Sequence, residues 1–251
     1  MIIQIIGLPG SGKTTLAKAL KERINAIHLN ADDVRTDISS DLGFSEADRE
    51  EQSRRLGAMA RLLSNQGYDV IVDFVCPTKE TRLVFGKPDI IVWMNTIKEG
   101  RFVDTNRLWQ DPEIYDVEFD DFVSVDDMVE SLLEEFSLFD WSAPTTLMLG
   151  RYQPWHEGHQ MLRDKAAEIT NQVFIAVRNT YGTSEKDPLP YDMVERLIWD
   201  KNSGHVNLIK KVPNITNIVY GRDVGYKIEQ IDLPADIQAI SATQKRKEMG
   251  I

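Results

Sequence analysis

The sequence predicts an α/β protein of two domains. In each half an apolar strand ends at a glycine-containing turn and leads into a helix, and further strands and helices alternate after it. This alternation is typical of βαβ units with a parallel sheet. The length of 251 residues accommodates two compact domains. We place them at 1–142 and 143–251, on either side of a composition change near residues 141–144.

The elements follow from the spacing of apolar residues. Residues 2–6 are typical of a buried strand, and apolar side chains then recur at helical spacing from Leu16 to Ile24. Segment 98–121 is polar and acidic, which indicates a mobile loop or lid. The remaining predicted strands are 26–29, 70–74, 90–94, 145–149, 173–177 and 217–220, and the remaining helices are 46–66, 125–139 and 160–169.

Composition narrows the possible functions. The net charge of -11 makes the chain a poor non-specific ligand for nucleic acid, because phosphate binding relies on clustered Lys and Arg. Cys76 is the only cysteine, which excludes an intrachain disulfide. No apolar run is long enough to cross a bilayer, and the N-terminus lacks the features of a secretory signal. We therefore expect a cytoplasmic protein without membrane partners.

A phosphate-binding loop is predicted at the start of the chain. The run from Gly7 to Thr14 fits the pattern Gly-x4-Gly-Lys-Ser/Thr and stands between a strand and a helix. Glycines let main-chain N–H groups surround phosphate oxygens. Lys13 is expected to reach the β- and γ-phosphates of ATP as a catalytic residue, and Thr14 to ligate Mg²⁺. The predicted nucleotide-binding residues are Gly7, Gly10, Ser11, Gly12, Lys13, Thr14 and Thr15.

Three further residues suit phosphoryl transfer. Asp32 can accept the proton of an attacking hydroxyl or hold Mg²⁺ through water, and Arg35 can bind an anion. The alternative for this stretch is a helix N-cap followed by a surface helix. Asp73, near the end of an apolar strand, looks like the Mg²⁺-side carboxylate of P-loop kinases. The predicted metal ligands are Thr14, Asp32 and Asp73.

The first half resembles adenylylsulfate kinases over residues 1–85, in the order and spacing of segments 30–35, 41–49, 54–55 and 70–82. The resemblance implies a P-loop NTPase fold, with ATP and Mg²⁺ as cofactors and Asp32 as the catalytic carboxylate. It also implies that Arg35 and Arg49 contact the sulfate or phosphate of an acceptor nucleotide. Phe44 would stack on the base of that nucleotide, with a position in the core as the alternative.

The chain departs from this family at several of the same positions. Ala31 and Asp33 stand where the family has Gly and Asn, and Gln52 stands where it has Asn. The family's Ser-Pro turn is Cys76-Pro77 here, and both residues are predicted to contact the acceptor. These differences indicate phosphoryl transfer to a small molecule more strongly than they indicate adenylylsulfate itself.

A second candidate site follows the first strand of the second half. His156 and His159 are three residues apart at a helix start, so both can face one phosphate as catalytic groups. A metal site and a pair of structural capping histidines are the alternatives. The predicted nucleotide-binding residues of this turn are Gly150, Arg151, Tyr152 and Gly158.

The run 150–159 resembles the His-x-Gly-His nucleotidyltransferases, most closely nicotinamide-mononucleotide adenylyltransferases of the archaeal type. The segment 240–246 resembles that superfamily's second phosphate motif. The resemblance implies a smaller Rossmann-like fold. The residues that it adds are Ser241, Thr243 and Arg246 on the triphosphate and Arg222 and Asp223 on the nucleotide. Arg178, directly after a predicted strand, is included as a substrate-binding candidate.

Together these motifs predict a bifunctional enzyme. One domain would phosphorylate a small nucleotide-like or anionic acceptor. The other would transfer a nucleotidyl group, with ATP preferred over CTP, to a phosphate-bearing acceptor and release pyrophosphate. A nucleic-acid 5′-end kinase and a non-catalytic nucleotide-binding regulator are the alternatives. The sequence leaves the acceptors and the oligomeric state open.

Overall fold

The computed structural model describes residues 1–219, 221, 225, 227–238 and 240–250. The chain divides into two compact units, Met1–Trp141 and Ser142–Ile251. The predicted boundary lies one residue further along the chain. Among the described helices, none has the length and apolar character of a membrane span.

The first unit contains one parallel sheet with the strand order β2-β3-β1-β4-β5. Its strands are β1 (Ile2–Gly7), β2 (Ile27–Asn30), β3 (Val70–Phe74), β4 (Ile90–Met94) and β5 (Val117–Phe119). Its helices are α1 (Lys13–Ile24), α2 (Ala31–Asp37), α3 (Glu46–Ser64), α4 (Lys79–Phe85), α5 (Val103–Leu108) and α6 (Val125–Glu135). The carboxyl ends of these parallel strands lie at one edge of the sheet, where the loops after β1, β2 and β3 begin.

Both faces of this sheet are covered, which is why β1 is apolar apart from the buried Gln4. Ile3 and Ile5 pack into a core that includes Leu16 of α1 and Leu132 of α6. Ile2 belongs to a second core with residues of α3 and α4. The sheet therefore holds the loop after β1 on a rigid base.

Segment 98–121 differs from the predicted loop, since it contains both α5 and β5. Val117 is buried in the core that contains Leu16 and Leu132, and it pairs in parallel with Val92 of β4. Acidic neighbours conceal this strand in the sequence, because three residues are too few to establish an apolar pattern. The prediction of a loop over the whole segment is therefore wrong.

The second unit also contains a parallel sheet, whose described strands have the order β6-β7-β8. These strands are β6 (Thr146–Gly150), β7 (Val173–Arg178) and β8 (Asn207–Val212), and the helices are α7 (Glu157–Thr170), α8 (Tyr191–Asn202), α9 (Ala235–Gln238) and α10 (Ala242–Met249). The predicted strand 217–220 is wrong for residues 217–219, and Tyr220 lies outside the described residues. Ile218 and Val219 are exposed there. The apolar pattern does not produce a strand because these residues do not pack against a partner strand in the described part of the unit.

Candidate functional site

The loop after β1 has the geometry of a phosphate cradle. Gly7 lies so close to β4 that a Cβ atom there would stand 2.4 Å from the main-chain oxygen of Met94. Gly12 caps α1 with a φ of 93°, a left-handed conformation that glycine adopts readily. The Ser11 hydroxyl between them is buried and has no hydrogen-bond partner in the described protein. The loop thus turns tightly and points the start of α1 at the space above it.

Lys13 is held by this loop. Its Nζ donates a hydrogen bond to the main-chain oxygen of Leu8 at 2.8 Å. Burial lowers the pKa of Lys13 to about 8, although the nearby carboxylates of Asp73 and Asp32 act in the opposite direction. The ammonium group is therefore mostly charged at neutral pH and loses its proton in mildly alkaline solution.

This pKa predicts how nucleotide binding depends on pH. The affinity for ADP is expected to be nearly constant from about pH 7, where its phosphates are ionised, up to the Lys13 pKa of about 8. Above it the affinity should fall by roughly tenfold per pH unit, because binding must first restore the proton. Calorimetric titrations across the pH range measure this slope. Lys13→Arg keeps its positive charge in alkaline solution, so the affinity of this variant should not fall with pH. An equal slope in both proteins would contradict the prediction.

Asp73 lies at the carboxyl end of β3, under the loop. Its carboxylate accepts hydrogen bonds from Thr14 Oγ1 at 2.5 Å and from His28 Nε2 at 2.5 Å. Asn30 Nδ2 adds contacts of 3.0 and 3.2 Å to its two oxygens. Burial alone would raise the pKa of Asp73, but hydrogen bonds from His28 and Thr14 outweigh it and hold the pKa below its ordinary value. Asp73 is therefore an ionised, fixed carboxylate.

A cleft of about 740 Å³ gathers most of the residues predicted for the first site. Those on its wall are Gly10, Gly12, Lys13, Thr14, Thr15, Asp32, Arg35, Phe44, Arg49, Asp73, Cys76 and Pro77. The predicted residues Gly7 and Ser11 are not among those that line the cleft. Other residues that line it include Asn30, Gln52, Arg101, Phe102, Asp104 and Thr105. Arg101 lies against the loop, since a Cβ atom on Gly10 would come within 3.6 Å of its Nε.

Asn30 is the N-cap of α2, as the alternative interpretation of this stretch predicts. Its Oδ1 accepts from the main-chain N–H groups of Asp32 and Asp33 at 3.0 and 3.1 Å. The cap also has a role in the site, because the same side chain donates to Asp73. Asp32 is exposed at the start of α2 and faces the cleft together with Lys13.

Phe44 lies at the mouth of the cleft and is 66% exposed, so it is not a core residue. The guanidinium carbon of Arg35 lies 4.8 Å from its ring centroid, and that of Arg49 lies 5.7 Å away. Burial and the charge of Arg49 lower the pKa of Arg35. Arg49 donates to Asp104 Oδ2 at 2.9 Å. Two cations beside an open aromatic face fit an anionic ligand with a ring.

Cys76 lines the cleft, but its thiol is turned into the interior. Its Sγ lies 3.7 Å from both Gln4 Nε2 and Thr81 Oγ1. Burial raises the pKa of this thiol to about 12. A contact between Cys76 and an acceptor therefore has to involve the main chain.

In the second unit His156 caps α7 and stacks on His159. Nδ1 of His156 accepts a hydrogen bond from the Gly158 N–H at 3.1 Å, so the proton of the neutral ring is on Nε2. The two imidazole centroids are 3.8 Å apart. His159 also contacts the rings of Tyr152 and Trp155 at 5.1 and 5.4 Å. The turn is thus a compact aromatic cluster at the helix start.

Both imidazoles are neutral at physiological pH. Burial, reinforced by His156, lowers the pKa of His159 to about 3. Burial also lowers the pKa of His156. Nδ1 of His159 is buried and has no partner within the described part of the chain. In that part, no third His, Cys, Asp or Glu completes a cluster that could hold a metal ion.

The C-terminal motif lies against this turn. Arg246 Nη1 donates to the main-chain oxygen of Gln153 at 2.9 Å, and its Nη2 donates to Thr243 Oγ1 at 3.1 Å. Lys245 pairs with Glu157 at 3.3 Å. Ser241 caps α10. Segments far apart in sequence therefore meet beside the two histidines.

The other predicted residues of the second unit have varied surroundings. Gly150 ends β6, and Arg151 beside it pairs with Asp187 at 3.1 Å. Arg178 ends β7, and its Nε is buried without a partner in the described structure. The predicted residues Arg222 and Asp223 lie outside the described residues.

Gln153 was absent from the predicted site. Its side chain exchanges two hydrogen bonds of 2.9 Å with the main chain of Leu189 and so fixes the turn to segment 187–190. The sequence signal for this role was a glutamine inside the run 150–159, and the structure shows that it is buried.

Comparison with known proteins supports the predicted family for the first part of the chain. The family description Adenylylsulphate kinase matches residues 1–87, which confirms the predicted extent of the resemblance. An adenylyl-sulfate kinase of Citrobacter koseri is 37% identical over 108 residues, covering 41% of this chain and 50% of that protein. An adenylyl-sulfate kinase of Vibrio cholerae is 42% identical over 86 residues, covering 32% of this chain and 40% of that protein. The chain thus spans half or less of the length of these curated relatives.

Among solved structures, the APS kinase of Mycobacterium tuberculosis in complex with AMPPNP and APS is 24% identical. The match covers 53% of this chain and 95% of that one, with a TM-score of 0.46. The first unit is an α/β fold with a parallel sheet, and its first 87 residues are similar to adenylylsulfate kinases.

Proposed function

We propose that the first unit is an ATP- and Mg²⁺-dependent kinase that phosphorylates a hydroxyl of a small nucleotide-like or anionic acceptor. One observation carries this proposal: the phosphate loop with Lys13 and the pair Arg35 and Arg49 line the same cleft. Phosphoryl transfer requires donor and acceptor to lie side by side, and a cleft of about 740 Å³ has room for both.

The residues that line the cleft have separate roles in the proposed phosphoryl transfer. Main-chain N–H groups of the loop and Lys13 bind the β- and γ-phosphates of ATP. Asp32 takes the proton of the acceptor hydroxyl as its oxygen attacks the γ-phosphorus, and ADP leaves. Thr14 and Asp73 present a hydroxyl and a carboxylate oxygen, which suit Mg²⁺, and the alternative role of Asp32 is to hold the ion through water. When bound, Mg²⁺ supplies positive charge that offsets the negative charge developing on the phosphates.

The acceptor subsite is formed by Phe44, Arg35 and Arg49. An aromatic base stacks on Phe44, and the two guanidinium groups bind an attached sulfate or phosphate. Adenylylsulfate is the first acceptor to test, because the similar family is named for it. The test also includes other nucleotide-like acceptors, because Ala31, Asp33 and Gln52 differ from the residues of the adenylylsulfate kinase family at these positions.

The experiment follows the fate of the γ-phosphoryl group. The full-length protein is incubated with Mg²⁺, γ-labelled ATP and, in parallel, adenylylsulfate, nucleoside monophosphates or a 5′-hydroxyl oligonucleotide. We expect label in a small acceptor and one ADP for each product. Label only in the oligonucleotide would indicate an end-processing kinase, and ADP binding without any transfer would indicate a regulator.

For the second unit we propose nucleotidyl transfer from ATP to a phosphate-bearing acceptor. The proximity of Arg246 and Lys245 to the His156 turn supports this proposal, since two cations there can bind a triphosphate. An acceptor phosphate oxygen attacks the α-phosphorus, the bond to the β-phosphate breaks and pyrophosphate leaves. His156 donates its Nε2 proton in a hydrogen bond to the phosphates, and His159 orients the His156 ring by stacking.

A further inference from the structure

We propose that His28 is a positioning residue, which fixes the Asp73 carboxylate and through it the Mg²⁺ site. This inference rests on the proposed kinase function of the first unit. His28 is outside the predicted site and outside the set of residues that line the cleft. It therefore acts on the reaction only through Asp73.

The geometry around Asp73 leaves the carboxylate little freedom to rotate. His28 Nε2 lies 2.5 Å from Oδ1, and Thr14 Oγ1 donates to Oδ2 at 2.5 Å. Asn30 Nδ2 contacts both oxygens, at 3.0 and 3.2 Å. The Asp73 side chain is only 1% exposed, so water cannot readily replace a donor that is lost.

His28 also stands at one end of a hydrogen-bonded chain across the site. The pairing of β2 with β3 sets Asn30 opposite Asp73. Asn30 then caps α2 by accepting from the N–H of Asp32. His28, two residues before Asn30 on β2, contacts Oδ1 of Asp73, whereas Thr14 contacts Oδ2. Loss of the imidazole would leave Asn30 as the remaining donor to Oδ1 and so loosen the link of the carboxylate to the helix that carries Asp32.

Groups that orient metal ligands in this way typically affect metal affinity by about 10–100-fold. The test uses the thermal stability of the full-length protein at saturating ADP, titrated with Mg²⁺. We expect His28→Leu to raise the Mg²⁺ concentration at half-maximal effect by about tenfold or more. The affinity for ADP without Mg²⁺ should be unchanged. His28→Gln, which can still donate a hydrogen bond, should recover part of the effect and serves if the leucine variant does not fold.

Leu29→Ala is the matched control, since Leu29 packs in the apolar core from the same strand and gives Asp73 no hydrogen bond. It should lower the melting temperature without moving the Mg²⁺ midpoint. An unchanged midpoint in both His28 variants would overturn the inference and leave the kinase proposal standing. A wild-type ADP complex that is not stabilised by Mg²⁺ at all would overturn the inference and the proposed cation site together.

Discussion

Lys13→Ala is expected to lower phosphoryl transfer by the first unit on the order of 10²–10³-fold. Lys13 is only 8% exposed at the floor of the cleft, where an ammonium group interacts more strongly with phosphate charge than it would in water. Its loss also leaves the Leu8 carbonyl without the donor that occupies it in the free protein. The rate of label transfer from γ-labelled ATP, measured at saturating acceptor, gives the effect.

Lys18→Ala supplies the matched control for this substitution. Lys18 is exposed on the same helix, so its loss removes an equal charge without touching the loop. The control should transfer label at the wild-type rate. Comparable rates for Lys13→Ala and the wild type would contradict the assignment of kinase activity to this cleft.

His159→Ala is expected to lower pyrophosphate release by the second unit by about 10²-fold. The His159 ring stacks on His156 with centroids 3.8 Å apart, and its removal takes away a contact that orients the His156 imidazole in addition to the hydrogen bond from the Gly158 N–H. The same removal leaves a gap beside Tyr152 and Trp155, so some stability is lost as well. A coupled pyrophosphate assay with ATP and a panel of phosphate-bearing acceptors measures the rate.

Two further variants separate the chemistry from the loss of stability. His159→Asn keeps a polar group of smaller size and should remain slow although it fills part of the gap. His205→Ala removes an exposed histidine of the same unit and should behave like the wild type. Pyrophosphate release at the wild-type rate in both His159 variants would contradict the role assigned to this turn.

The sequence predicts the local structure around the first candidate site well where the parts are adjacent in the chain. The loop from Gly7 to Thr14 needs only a strand, a tight turn and a helix start, and all three are encoded in consecutive residues. The strands β3 and β4 have the predicted bounds for a related reason. Their apolar runs, interrupted in β3 only by Asp73, indicate strands buried on both faces of an α/β sheet.

The sequence is less informative where distant segments meet. The contact of His28 with Asp73 depends on the pairing of β2 with β3, across 45 positions of the chain. Gln153 and Leu189 are joined in the same non-local way. The strand β5 has too few residues to show a pattern and is stabilised by its pairing with β4. Such features follow from tertiary structure, and no run of consecutive residues encodes them.

Counting bound nucleotides tests the central claim most directly, namely that each unit has its own triphosphate site. Equilibrium dialysis of the full-length protein against a non-hydrolysable ATP analogue with Mg²⁺ is expected to give two molecules per chain. Lys13→Ala and Arg246→Ala, which each remove a cation from one unit, should each retain one. A single nucleotide per wild-type chain, or loss of all binding in either variant, would contradict the account.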